Sequence, residues 1–150
     1  MRKVALLAVV MAVAVAGLAL AQAKPDFSGK WLLDPARSDQ MGGRQGGGTQ
    51  APMTVKQTAT ELTTETVRGE FTMTSTYKLD GTESINKTQR GQSKSTATFD
   101  GGKLVIKTTM EGPNGTMETT QTWTLGAGGK ELTIVRATQR GEMKQVFTKQ

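Results

Sequence analysis

From Met53 to Thr148 the chain is a succession of short segments in which apolar and hydroxyl-bearing residues alternate, each ended by turn residues after roughly 8 to 12 positions. Period-two alternation puts every second side chain on one face of an extended strand, and no segment carries the 3.6 period of a helix. Strands are expected near Met53–Gln57, Leu62–Val67, Glu70–Leu79, Thr82–Lys87, Ser93–Phe99, Lys103–Met110, Thr116–Leu125, Glu131–Thr138 and Met143–Thr148. Asp80-Gly81 and Asp100-Gly101 are the sharpest hairpin signals, because a two-residue turn needs residues that accept positive φ. Gly112 to Gly115, Gly126 to Lys130 and Arg140-Gly141 supply further reversals. Ahead of these, Phe27, Gly29, Trp31 and Leu33 share one face of another strand, and Gly29 leaves a gap between two rings that another side chain or backbone can fill.

About ten short strands joined by short links make an antiparallel meander. Phe71, Met73, Tyr77 and Leu79 lie on one side of their strand, opposite Thr72, Thr74, Thr76 and Lys78. Met117, Trp123 and Leu125 repeat the arrangement against Glu118, Thr120, Thr122 and Thr124. One face is therefore buried and the other wet. A one-sided sheet of this width with two free edges would aggregate, so the expected fold is all-β, a single up-and-down antiparallel barrel. An outer-membrane barrel would carry its aromatics in girdles on the outer face, whereas here they fall on the core side.

Residues 1–23 combine Arg2 and Lys3, an unbroken apolar run from Val4 to Ala21, and an Ala21-Gln22-Ala23 end. That is the make-up of a signal peptide cleaved after Ala23, leaving residues 24–150 as one secreted or periplasmic domain without a membrane span. Removing the two basic residues lowers the net charge from +6 to +4. So mild a charge, with inward aromatics, argues against nucleic acid as a partner. The chain has no Cys, so no lipid anchor is attached to one and no disulfide supports the fold. Gly42, Gly43, Gly46, Gly47 and Gly48 fall within a stretch, about 34–52, read as a flexible loop. No G-x-x-x-x-G-K-[ST] pattern is present in it.

The absence of His and Cys removes thiol nucleophiles, imidazole bases and the usual zinc and copper ligands. The five Asp stand mostly beside turns, Glu61 and Glu65 sit among threonines as a solvated edge, and no calcium-loop spacing occurs. The reading is a non-enzymatic protein with no cofactor.

Phe27-Ser28-Gly29-Lys30-Trp31 resembles the G-x-W opening of the calycins, the superfamily of lipocalins and fatty-acid-binding proteins. With Leu33-Asp34-Pro35-Ala36-Arg37-Ser38, Tyr77 to Gly81, Phe99 to Leu104, Thr122 to Leu125 and Lys130 to Thr133, it is similar to small secreted bacterial lipocalin-like proteins of the F-S-G-x-W type. The resemblance implies that Trp31 closes one end of the barrel beneath a basic side chain from a late strand, with Arg136 first and Lys144 second as that partner. An inward Arg136 has another reading, as receptor for a ligand carboxylate. The fatty-acid-binding branch also carries an R-x-Y clamp in its last strand and a two-helix lid. This chain reads Gln145-Val146-Phe147 there and has the glycine-rich loop instead, so fatty acid itself is not implied.

Two functions from different classes remain. In one, the barrel holds a small apolar or amphipathic ligand, lined by Trp31, Phe71, Tyr77, Phe99, Gln121, Trp123 and Arg136, in a cavity of at least roughly 300 Å³ bordered by Tyr77, Gln121 and Trp123. Ser75, Thr119 and Gln121 at inward positions favour it, since a dry core avoids such groups. In the other, a filled barrel contacts envelope polymers or another protein through its Thr and Lys faces.

Overall fold

The structure is a computed structural model, and it describes residues 23–39, 51–88 and 91–150. The segment expected to be a signal peptide, as far as residue 22, and the glycine-rich run from 40 to 50 lie outside the described residues. Ten strands are present among the described residues: β1 Gly29–Leu33, β2 Met53–Gln57, β3 Glu61–Arg68, β4 Phe71–Lys78, β5 Ser84–Thr88, β6 Gly91–Asp100, β7 Lys103–Gly112, β8 Gly115–Leu125, β9 Glu131–Thr138 and β10 Gly141–Lys149. They form one sheet in the order β4-β3-β2-β1-β10-β9-β8-β7-β6-β5, every neighbour antiparallel. This is the expected all-β meander, with β1 pairing β10 so that the sheet curls into a nearly closed barrel. The loop between Asp100 and Lys103 shows the turn chemistry at work: Gly101 has φ +60°, a region an L side chain seldom enters.

One reversal differs from the sequence reading. Asp80-Gly81 is not a hairpin turn, because β4 and β5 share no ladder. Its carboxylate instead folds the loop locally, accepting from the Thr82 amide at 2.9 Å, and the Gly81 amide reaches across to the Ala97 carbonyl of β6 at 3.1 Å. The barrel is closed at this seam by side chains of β5. Asn86 pairs its carboxamide with the backbone of Thr76, and Ser84 accepts from the Lys78 amide.

A second difference concerns Asp34 to Asp39, part of the stretch read as flexible. The Asp34 amide donates to the Val146 carbonyl and the Asp39 amide to the Lys144 carbonyl, each at 2.8 Å. Between them the Ser38 hydroxyl accepts from the Val146 amide at 2.8 Å and donates to the Asp34 carbonyl at 2.6 Å. The segment is a bulged continuation of β1 along β10, in which a serine hydroxyl stands in for a missing peptide. That accounts for the spacing of Asp34-Pro35-Ala36-Arg37-Ser38, with Asp34 Oδ1 also accepting from the Ala36 amide.

The core fills the half of the barrel nearest the chain's start. Phe27, Trp31, Leu62, Leu104, Ile106 and Leu132 are fully buried, with Val55, Tyr77, Leu79, Ala97, Trp123, Ile134 and Phe147 around them. Toward the tips of the β3–β4 and β7–β8 hairpins the first residues of β4 and β8 are exposed on both faces. One end of the barrel is thus plugged and the other open.

Candidate functional site

The plugged end is built by the opening motif. Phe27 lies edge-on to Trp123, ring centroids 5.7 Å apart at 89°. Its carbonyl accepts from the Trp31 indole N–H at 2.9 Å. Gln57 fastens this segment to β2, accepting from the Phe27 amide and donating to the Pro25 carbonyl. The basic partner of Trp31 is neither Arg136 nor Lys144 but Lys149, whose Nζ lies 5.3 Å from the ring centre. Register decides this: Trp31 sits opposite Lys149 on β10. The stem of Lys149 fills the gap left by Gly29, where a Cβ would come 2.5 Å from Lys149 Cε. The gap expected between the two rings is therefore occupied by the same side chain that covers the tryptophan.

Above this floor the inner face becomes polar. Ser84, Asn86, Ser93 and Ser95 are buried, and Ser95 and Thr108 join hydroxyls at 2.8 Å across β6 and β7. Gln121 accepts from the Trp123 indole N–H at 3.2 Å and stands beside Arg136 across β8 and β9. Arg136 follows Leu132 and Ile134 on the inward side of β9, and its Nε is buried without a hydrogen-bond partner. The salt bridges of the described residues belong to Arg37, with Asp34 and Glu131, not to Arg136. Burial lowers the Arg136 pKa from its ordinary value, opposed by the nearby Tyr77 phenol. Burial likewise raises the Tyr77 pKa, while Ser75 and the Arg136 charge pull it back.

The candidate residues of the sequence thus separate by height in the barrel. Trp31 and Trp123 belong to the packed floor, and Phe99 packs against it beneath Lys24, whose Nζ is 5.2 Å from the ring centre. Tyr77, Gln121 and Arg136 come together in the polar layer. Phe71 lies at the open end, 64% exposed, with Met73 and Met117 also exposed there. Sequence reasoning missed Ser84, Asn86, Ser93 and Ser95, although polar residues at alternate positions in Ser84-Ile85-Asn86 and Ser93-Lys94-Ser95 carry the same signal that pointed to Gln121. Two clefts stand out among the described residues, and neither is bordered by Tyr77, Gln121 or Trp123. One, about 460 Å³, lies at the β7–β8 tip between Met110, Pro113 and Met117. The other, about 340 Å³, lies along the β4–β5 seam.

A plugged floor, a polar upper interior and an open rim define a small up-and-down β-barrel. No family model and no curated protein matches the chain. Among solved structures it is similar to the REP1-NXSQ fatty acid transporter, with a TM-score of 0.64 and 14% identity over 83% of this chain and 96% of that one. Similarity at that identity establishes the shared fold.

Proposed function

We propose that this is a secreted or periplasmic binding protein, not an enzyme, that holds a small amphipathic ligand in the upper half of its barrel with an anionic group on Arg136. The reading rests on one observation above all: a largely buried guanidinium whose Nε has no partner, set among neutral polar side chains. A buried N–H left without an acceptor is costly, and packing alone would be served better by an apolar residue of similar size. A ligand carboxylate or sulfonate would supply the missing acceptor, with Gln121 and Tyr77 as neutral neighbours and the apolar end directed toward Met73, Met117 and Phe71. The fold shared with a fatty acid transporter and the resemblance to secreted lipocalin-like proteins of the F-S-G-x-W type agree with this role.

Arg136→Met tests it with two probes, the anionic dye anilinonaphthalene sulfonate and the neutral dye N-phenylnaphthylamine. Affinity for the anionic dye is expected to fall roughly 10- to 100-fold, the worth of a hydrogen bond to a charged group. Affinity for the neutral dye should stay, and the melting temperature should hold or rise. Equal affinity of wild type and variant for the anionic dye would remove Arg136 from the site. No binding of either dye by the wild type would favour the filled barrel.

A further inference from the structure

Every methionine among the described residues lies on the inward side of its strand. Met110 faces Met117 across β7 and β8, Met53 and Met73 flank Thr66 across β2, β3 and β4, and Met143 faces Arg136 across β10 and β9. Leu62, Leu104, Ile106, Leu132 and Ile134 pack in the floor, and Met53 reaches its edge. The other four methionines stand toward the hairpin tips, Met73 and Met117 exposed, Met110 and Met143 half-buried. We propose that the four thioethers at the mouth are an oxidation site that governs ligand release: a two-electron oxidant of the peroxide class converts them to sulfoxides, and the barrel lets its ligand go. The second part rests on the reading of the barrel as a carrier.

Composition and burial together concentrate this chemistry at the mouth. The chain has no Cys, and Trp31 and Trp123 are only 0% and 2% exposed. Among the described residues, a peroxide entering from the open end therefore meets methionine before any other readily oxidised side chain. The sulfur lone pair attacks one peroxide oxygen, the O–O bond breaks, an S–O bond forms and water leaves. Sulfur gives up two electrons and the peroxide takes them. The product alters the site in two ways. A thioether is a pliable apolar wall, whereas a sulfoxide is polar and must be desolvated to hold the apolar part of a ligand. At Met143 the new oxygen is also an acceptor on the cross-strand neighbour of Arg136, Cβ atoms about 5 Å apart, and the Arg136 Nε lacks a partner. A sulfoxide there competes with the anionic group of the ligand for the same N–H. The floor is built from other residues, so the fold outlasts the change.

Graded treatment of the full chain with hydrogen peroxide tests both parts, read by peptide mass spectrometry, by binding of N-phenylnaphthylamine and anilinonaphthalene sulfonate, and by the melting temperature. Met73 and Met117 should gain oxygen first and Met110 and Met143 after them, with Trp31 and Trp123 unmodified. Affinity for the neutral dye should fall roughly tenfold, and that for the anionic dye roughly tenfold further, while the melting temperature changes little. Methionine sulfoxide reductase should restore binding. A variant carrying Met73→Leu, Met110→Leu, Met117→Leu and Met143→Leu should bind the neutral dye and keep its affinity after peroxide. Met143→Leu alone is the milder variant, and should abolish only the additional loss for the anionic dye. That additional loss persisting in Met143→Leu would overturn the competition at Arg136. Unchanged affinity of the oxidised wild type for both dyes, an equal loss in the four-leucine variant, or a melting temperature that falls with the affinity would overturn the oxidation site and leave the carrier reading standing. No dye bound before oxidation would instead defeat the carrier reading, and ligand release with it.

Discussion

Tyr77 joins the two halves of the barrel more directly than any other side chain. Its ring belongs to the apolar core, while its phenol meets Ser75 and the field of Arg136. Burial is the largest influence and holds the phenol's pKa above the ordinary value, so the unfolded chain loses this proton first as pH rises. The contribution is present in full below about pH 10 and is lost as pH climbs through the folded-state value. Urea titrations from about pH 8 to about pH 11.5 should therefore show stability declining above about pH 10, and Tyr77→Phe should flatten that decline. An unchanged slope in the variant would place the alkaline sensitivity elsewhere. Tyr77, Gln121 and Arg136 could each be picked from the sequence because they interrupt or extend an apolar alternation. The partner of Trp31 could not. The sequence offers basic residues in β9 and β10 alike, and only the pairing of β1 with β10 places Lys149 over the ring.

Among the elements, β10 and the segment after β1 show how a motif can be visible without its role being so. Asp34, Pro35 and Ser38 form a recognisable string, and Pro35 is a fair reason to end a strand there. The bonds that return Asp34 and Asp39 to β10 reach partners far away in sequence, so local reasoning reads the stretch as loose. Ser38→Ala removes the acceptor of the Val146 amide, which sits in a part-buried setting. It should cost about 1 to 2 kcal/mol in equilibrium unfolding, with faster amide exchange at Val146. A loss under about 0.5 kcal/mol would mean that water replaces the hydroxyl. The β4–β5 seam is a matching case. Asp80-Gly81 has the composition of a hairpin turn, yet the strands around it part because Asn86 and Ser84 occupy the backbone groups that a ladder would use.

For the whole molecule, the proposed export rests on residues 1–23, and its test is direct. Intact-mass measurement on protein recovered from the periplasm or medium should give a chain beginning at Lys24. Full-length chain retained in the inner membrane would defeat it. The alternation of side chains determined by itself that the chain is all-β, where nearly every strand begins and ends, and which face of β1, β4, β8 and β9 turns inward, since a strand's pleat fixes facing without reference to the rest of the fold; β5 escaped it, because there Ser84 and Asn86 are buried while Ile85 is exposed. The missing His and Cys likewise limit the chemistry open to the chain, whatever shape it takes. Tertiary structure decided what sits above what. Barrel closure sets the height of each inward residue, so it sent Trp31, Trp123 and Phe99 to the floor, gathered Tyr77, Gln121 and Arg136 in one layer, and left Phe71 at the rim. Those placements depend on register across strands distant in sequence, information that a period of two residues does not contain.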